Sequence, residues 1–267
     1  MLKLEQSMAG TSRRKHELVS GPLKKIKRAQ QHINDLNREV TEFLSRKPFQ
    51  LRVSEKRDPH RRIIYIKAKE PIPEIITMIL GDAVHNLRSA IDQLAWGIVG
   101  SKAKKPRQVG FPFVETAEAL SSAIATRQMN VAPEKVIEEI HLLQPYPSGN
   151  KYLHAVKSLD ETDKHRNILI VATGLEISAQ RLQEMIEPHK LPVPMNVIIS
   201  VVGDWSIDLT DTPPAATFDK EADFQPAFTI GFGQGEALES FPLIMALANM
   251  ADATEAAVRR IAKAAFS

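Results

Sequence analysis

The sequence of 267 residues contains no cysteine. Disulfide bonds, thiolate nucleophiles and cysteine-ligated zinc or iron–sulfur centres are therefore excluded. Aromatic residues make up only 6% of the sequence, which argues against a stacking platform for single-stranded nucleic acid. No run of about 18 apolar residues occurs, so no membrane-spanning helix and no membrane partner are predicted. The first residues lack a secretory apolar segment, which predicts a cytoplasmic location.

The positive charge is concentrated in the first part of the sequence. Residues 1–107 contain 23 Lys or Arg against 11 Asp or Glu, whereas residues 108–267 contain 12 against 21. The basic residues form three clusters, at 13–28, 51–69 and 102–107. This asymmetry indicates either a polyanionic partner such as RNA or solvated surfaces of helices and turns.

Hydrophobic periodicity predicts an α+β fold that is mainly a bundle of about six helices. Apolar residues recur at three- and four-residue steps, which is typical of amphipathic helices, in six segments. These segments are about 20–47, 73–100, 115–128, 133–143, 150–163 and 239–265. Pro22 is expected in the opening turn of the first helix. Alternating residues around Asp58-Pro59 predict an N-terminal β-hairpin, and later β-rich runs predict an inserted antiparallel sheet before the long C-terminal helix.

The chain is expected to form a single domain over residues 1–267. Residues 16–165 and 239–266 are assigned to the helical bundle, which carries the hairpin at 49–69. Residues 166–238 are assigned to the β-rich insertion. No cofactor and no metal are expected, because the histidines are scattered and no phosphate-loop motif is complete.

The predicted helix at 73–100 has an unusual second face. At 100° per residue its apolar side chains form one broad stripe. The opposite arc holds Asp82, His85, Arg88, Ser89, Asp92 and Trp96. A solvated arc normally collects Lys and Glu, yet neither occurs between Glu74 and Lys102. This face is therefore predicted to be covered by protein or by a ligand.

Two interpretations of this face remain open. In the structural one, Arg88 forms a bidentate pair with Asp92 that locks neighbouring helices, His85 donates to a backbone carbonyl, and Trp96 caps the cluster. In the functional one, the same groups line an open cleft for a phosphate or a base. Buried ion-pair networks and active sites share these residue types, so the residues alone do not separate the two.

A second set of polar residues lies at the C-terminal end of a predicted helix, in "LDETDKHRN" at residues 159–167. The helix dipole favours basic residues there but does not explain the acidic ones. If this helix end lies beside the 82–96 face, His85 and His165 are candidates for acid–base chemistry. The predicted catalytic residues are His85, Arg88, Asp92, His165 and Arg166. The predicted structural or binding residues are Asp82, Trp96, Asp160, Asp163 and Lys164.

Four motifs over about residues 70–170 carry a resemblance: "HNLRSAIDQLAW", "FPF", "LQPY" and "LDETDKHR". In this order they resemble a family of uncharacterised bacterial proteins with the pattern HNLRSxLDxLxW, a Phe-Pro turn, LQPY and DKHR. A more remote resemblance is to the HEPN superfamily of helical bundles, many of which are RNases in toxin and phage-defence systems. That motif has Arg, then four to six intervening residues, then His. Gln93 stands at the first such place after Arg88, a departure that argues against RNA cleavage by this motif.

The sequence leaves three functions open. The first is a cytoplasmic binding or accessory protein, linked by the resemblance to mobile-element or defence functions, in which the polar residues organise the fold or a homodimer interface. The second is an enzyme acting on RNA or another phosphate ester, with His85 and His165 exchanging protons while Arg88 and Arg166 stabilise phosphate charge. The third is nucleic-acid binding through the basic N-terminal half.

Overall fold

The fold is mainly helical, as predicted. The computed structural model describes residues 2–55, 62–173, 206–208 and 229–267. The helices in these ranges are α1 (Leu2–Ser45), α2 (Glu74–Val99), α3 (Leu120–Thr126), α4 (Glu134–Leu143), α5 (Lys151–His165) and α6 (Leu243–Ala264). The strands are β1 (Phe49–Glu55), β2 (Arg62–Ala68), β3 (Ile170–Thr173), β4 (Ser206–Asp208) and β5 (Thr229–Phe232). No helix in the described ranges has the length and hydropathy needed to cross a bilayer.

The strands form two small antiparallel sheets. One has the order β1-β2-β4, with Phe49 opposite Ala68 in the first pair. The other pairs β3 with β5, and Ile170 lies opposite Phe232. The turn predicted at Asp58-Pro59 and much of the β-rich insertion predicted at 166–238 lie outside the described residues.

Helix α1 differs from the prediction at its start. It begins at Leu2 rather than near residue 20, so Pro22 lies inside the helix and not in its first turn. A proline inside a helix removes one backbone hydrogen bond, which is why it was expected at the start. Burial of Pro22 and Ile26 against the core offsets this loss, and the helix continues to Ser45, shortly before Pro48.

Residue contacts divide the chain into two compact units. The first contains Met1–Leu36, Thr77–Ile168 and Ile244–Ser267, and the second contains Asn37–Ile76 and Leu169–Leu243. Helix α1 therefore contributes residues to both units. Segment 49–69 falls in the second unit together with the β-rich part of the chain. The single domain expected from the sequence stays a prediction.

Helix α2 is the central helix of the first unit. Nine of its apolar side chains are at most 1% exposed: Ile76, Leu80, Ala83, Val84, Leu87, Ala90, Ile91, Leu94 and Val99. Helix α1 runs antiparallel to it, because a Cβ on Gly97 would lie 2.7 Å from Leu18 while one on Gly21 would lie 2.6 Å from Gln93. Helix α5 packs on α2 in the same antiparallel sense, with His85 facing Asp160.

A glycine-rich turn in the second unit, "GFGQGE" at 231–236, lies between β5 and the start of α6. Gly235 has φ +81°, a conformation that glycine adopts without steric cost. Glu236 is buried and accepts the Leu169 backbone N–H at 2.9 Å, and Glu239 accepts that of Gly235 at 3.0 Å. The Gly233 and Glu236 amides donate to backbone carbonyls, so three amides of this turn are engaged within the protein and the turn is assigned to structure rather than to phosphate binding.

Candidate functional site

The polar face of α2 divides into two separate groups of contacts, both within the first unit. The group termed the arginine cluster consists of Arg88, Asp92, Phe111 and Phe113. The group termed the histidine cluster consists of His85, Ser89, Asp160, Asp163 and Lys164. The two clusters differ in how much solvent reaches them, and this difference decides which of them a ligand could contact.

The residues of the arginine cluster bond to one another, and Arg88 at its centre is largely buried. Arg88 Nε donates to Asp92 Oδ2 at 2.7 Å, and Asp92 Oδ1 accepts the backbone N–H of Phe111 at 2.8 Å. The guanidinium carbon of Arg88 lies 4.6 Å from the ring centroid of Phe113, and the Arg88 side chain is only 11% exposed. The predicted Arg88–Asp92 pair is confirmed. It fastens α2 to the 111–113 segment.

One nitrogen of Arg88 lacks a hydrogen bond. Nη1 is buried and has no partner among the described residues. An unsatisfied buried donor costs free energy, more so on a charged group. The ring face of Phe113 attracts the guanidinium and offsets part of that cost. The bidentate pair expected from the sequence is therefore replaced by one Nε bond and a stacked aromatic ring.

The residues of the 110–113 segment allow the Asp92 carboxylate to approach the backbone closely. A Cβ on Gly110 would lie 3.3 Å from Asp92 Oδ1, so glycine lets the carboxylate reach the Phe111 amide. Pro112 restricts the backbone between the two phenylalanines. The rings of Phe111 and Phe113 meet edge to face with centroids 4.8 Å apart. The Phe-Pro-Phe sequence thus forms a rigid cover for Arg88.

The histidine cluster joins α2 to α5 and stays open to solvent. His85 Nδ1 lies 3.0 Å from Asp160 Oδ1, and His85 Nε2 lies 3.3 Å from Ser89 Oγ. Lys164 Nζ donates to Asp160 Oδ2 at 2.5 Å. The Asp160 side chain is 3% exposed, whereas that of His85 is 57% exposed. A buried carboxylate therefore orients an imidazole that is itself largely exposed.

Carboxylates surround the open side of this cluster. Partial burial raises the pKa of Asp163, and the negative charges of Asp160 and Asp82 raise it further, while His85 opposes the shift. The carboxylate of Asp163 rests against Gly81 of α2, where a Cβ would lie 2.5 Å from Oδ2. The surroundings of His85 are therefore anionic, with Lys164 as the nearby cation.

The raised pKa of Asp163 predicts a pH-dependent effect of removing its charge. Because folding raises this pKa above its usual 3.8, the stability that Asp163 contributes is present below pH 3.8 and is lost as the pH rises through the folded-state value. We expect Asp163→Asn to melt above the wild type at pH 7 and level with it at about pH 3. Circular-dichroism melting curves at both pH values measure this. Asp252→Asn, on the exposed side of α6, controls for the loss of one charge, and a lower melting temperature of Asp163→Asn at pH 7 would contradict the prediction.

The structure separates the residues that the sequence grouped around Arg88. The two polar segments do meet, and His85 and Asp160 form the contact between them. His165 and Arg166 are exposed at the end of α5, whereas the Arg88 side chain is only 11% exposed beneath the ring of Phe113. Arg166 Nη1 donates to the Asn167 carbonyl at 3.4 Å.

Two finer expectations about the polar face are wrong. His85 bonds a carboxylate and not a backbone carbonyl, because α5 places Asp160 directly opposite it. Trp96 does not cap either cluster. It is 56% exposed, and its ring lies beside Gly100, which directly follows the C-terminal end of α2.

Sequence reasoning missed a third polar network, at the N-terminal part of α5. The side chain of His154 is 9% exposed, and its Nε2 lies 3.2 Å from Glu115 Oε1. Lys157 Nζ donates to the same oxygen at 2.7 Å, and this hydrogen bond is the main cause of the lowered pKa of Glu115. Glu115 follows the 111–114 segment directly, so this network fastens that segment to α5. No motif in the sequence marks it.

Neither possible metal ligands nor similarity to known proteins adds a further constraint on the function. No group of three or more His, Asp or Glu side chains in the described ranges is placed to hold a metal ion. No family model, curated protein or solved structure matches the chain. The geometry of the clusters and the layout of charge therefore carry the functional argument.

Proposed function

We propose that the protein is a helical binding protein whose ligand is a polyanion, a nucleic acid being the simplest. One observation carries the proposal. Arg14 of α1 and Lys102, which follows α2, line the same cavity of about 390 Å³, together with the apolar side chains of Leu18, Ile98 and Phe266. Basic segments that are far apart in the sequence thus approach each other at one end of the first unit.

Further exposed cations occur in the same two segments of the chain. On α1 these are Lys24, Lys25, Lys27 and Arg28, and after α2 they are Lys104, Lys105 and Arg107. Glu17 and Glu134 are the acidic residues next in sequence to the cavity lining, so basic groups outnumber acidic ones there. Basic side chains that neutralise phosphates release condensed counterions, which supplies most of the affinity for nucleic acid.

The arginine cluster has a structural role in this proposal. Its guanidinium is covered by Phe113 and paired with Asp92, so it has no open side for a phosphate. The histidine cluster is open, but Asp82, Asp160 and Asp163 repel an anionic group there. Both features argue against a phosphate ester reacting between His85 and Arg88.

The binding proposal predicts a steep dependence of affinity on salt. We expect the protein to bind a fluorescein-labelled 20-nucleotide RNA or a 20-base-pair DNA duplex. The logarithm of the association constant is expected to fall linearly with the logarithm of the KCl concentration between 50 and 200 mM. Over this range a protein that contacts 6–10 phosphates loses about 10³–10⁵-fold in affinity. Lys102→Glu is expected to lower the affinity about tenfold and to reduce the slope by about 1, because it removes one phosphate contact. Fluorescence anisotropy measures both quantities.

The matched control is Lys69→Glu, which makes the same charge change at an exposed residue of the second unit. This variant is expected to bind almost as the wild type does. An equal loss in both variants would show that only net charge matters, and the proposed basic end would be wrong. Absence of binding at 50 mM KCl would contradict the proposal as a whole.

A further inference from the structure

Three side chains of the histidine cluster form a chain of hydrogen bonds through both ring nitrogens. Asp160 Oδ1 faces His85 Nδ1 at 3.0 Å, and His85 Nε2 faces Ser89 Oγ at 3.3 Å. A carboxylate on Nδ1 favours the tautomer that carries its proton there and leaves the Nε2 lone pair free. Nε2 can then accept the hydroxyl proton of Ser89, as the general base of a serine nucleophile does.

The burial of Asp160, its bond to Lys164 and the helical positions of all three residues favour a fixed arrangement of these groups. Asp160 is buried, and Lys164 holds its second oxygen at 2.5 Å, so the carboxylate is fixed from both sides. Ser89 and His85 occupy successive turns of α2, and Asp160 projects from α5, so all three stand on helices rather than on loops. His85 itself is 57% exposed, so a small molecule can reach its ring.

We propose that Ser89 is a nucleophile toward activated esters, with His85 as its general base and Asp160 as the residue that positions His85. Ser89 Oγ attacks the ester carbonyl carbon while its proton passes to His85 Nε2. The bond to the leaving oxygen breaks, and that oxygen takes the proton from Nε2, which yields acyl-Ser89 and the alcohol. Water then attacks the acyl group with the same two proton transfers and releases the carboxylic acid and free Ser89.

The surroundings define the substrate class. The backbone amides around Ser89 are engaged within α2, so the oxyanion of the tetrahedral intermediate faces solvent rather than a set of fixed donors. Only esters with a good leaving group are therefore expected to react. Asp163 interacts with His85 electrostatically and Asp82 stands beside Asp163, so neutral or cationic esters are favoured over anionic ones.

The test is covalent labelling of the full chain followed by peptide mass spectrometry. Incubation with 4-nitrophenyl acetate or with a neutral alkyl fluorophosphonate is expected to place the adduct on Ser89. His85→Gln is expected to slow this labelling at least tenfold, and Ser89→Ala to abolish it. Ser122→Ala, at an exposed serine of α3, is the matched control and is expected to label as the wild type does.

A second measurement uses the unmodified protein and so does not depend on how the variants fold. The negatively charged 4-nitrophenyl succinate is expected to acylate Ser89 at least fivefold more slowly than the acetate. No adduct on Ser89, or equal labelling of the wild type and a folded His85→Gln variant, would overturn the proposed nucleophile. Equal rates with the two esters would overturn the substrate class.

Discussion

Replacing Arg88 with alanine is expected to lower the free energy of unfolding by about 3 kcal/mol, since this leaves a partly buried carboxylate unpaired. Asp92 Oδ2 loses its donor at 2.7 Å, and the ring of Phe113 loses the cation that covers it at 4.6 Å. The Arg88 side chain is only 11% exposed, so its removal also leaves a cavity beside α2. Urea denaturation followed by circular dichroism measures the change.

The matched variants separate charge from shape. Arg88→Lys keeps the positive charge but loses the planar group that stacks on Phe113, and about 1–2 kcal/mol of destabilisation is expected. The double variant Arg88→Ala/Asp92→Ala should lose less than the sum of the single variants, because the two residues share one ion pair. A wild-type urea midpoint for Arg88→Ala would show that the arginine cluster does not stabilise the fold.

Replacing Phe111 with alanine is expected to cost about 4 kcal/mol, which lies within the usual range for a fully buried phenylalanine. Its side chain is 1% exposed and meets Phe113 edge to face, while its backbone amide holds Asp92. The cavity would lie where the 111–113 segment meets α2, so the cover over Arg88 would loosen as well. The same urea denaturation measures the loss.

Phe266→Ala is the control for this second prediction. Phe266 lies close to the end of the described chain and is only partly buried, so a loss below about 1 kcal/mol is expected there. If Phe111→Ala lost no more than Phe266→Ala, the segment after α2 would not be a sealed part of the core. The assignment of the arginine cluster to structure rather than to ligand binding would then be wrong.

Contacts within one helix were predictable from the sequence. The apolar stripe of α2 follows from its 3.6-residue period, and the stripe is buried as predicted. The pair of Arg88 with Asp92 follows from a spacing of four residues, which places both side chains on the same face. The absence of Lys and Glu from this face also correctly indicated that protein covers part of it.

Contacts between helices were not predictable, because periodicity does not give the register of one helix against another. His85 meets Asp160 across 75 residues of sequence, and the antiparallel packing of α5 on α2 decides that pairing. On α5, five residues at about 100° each turn His165 about 140° away from Asp160, so it faces elsewhere. Lys164 is four residues from Asp160 and stays on the same side of the helix.

The stacking of Arg88 on Phe113 depends equally on the path of the chain after α2. The "FPF" segment belongs to the pattern of four motifs in the sequence, but nothing in its composition says which side chain it covers. Gly110 and Pro112 indicate a turn there, and only the folded backbone brings that turn onto Asp92.

The first unit is assembled from three stretches of sequence, and its last helix, α6, spans Leu243–Ala264. Its buried side chains, among them Leu247, Met250 and Val258, are part of the apolar interior. During synthesis, α1, α2 and α5 leave the ribosome well before α6 does. Closure of this unit therefore waits for α6, and the nascent chain exposes an apolar surface that chaperones can bind until α6 emerges.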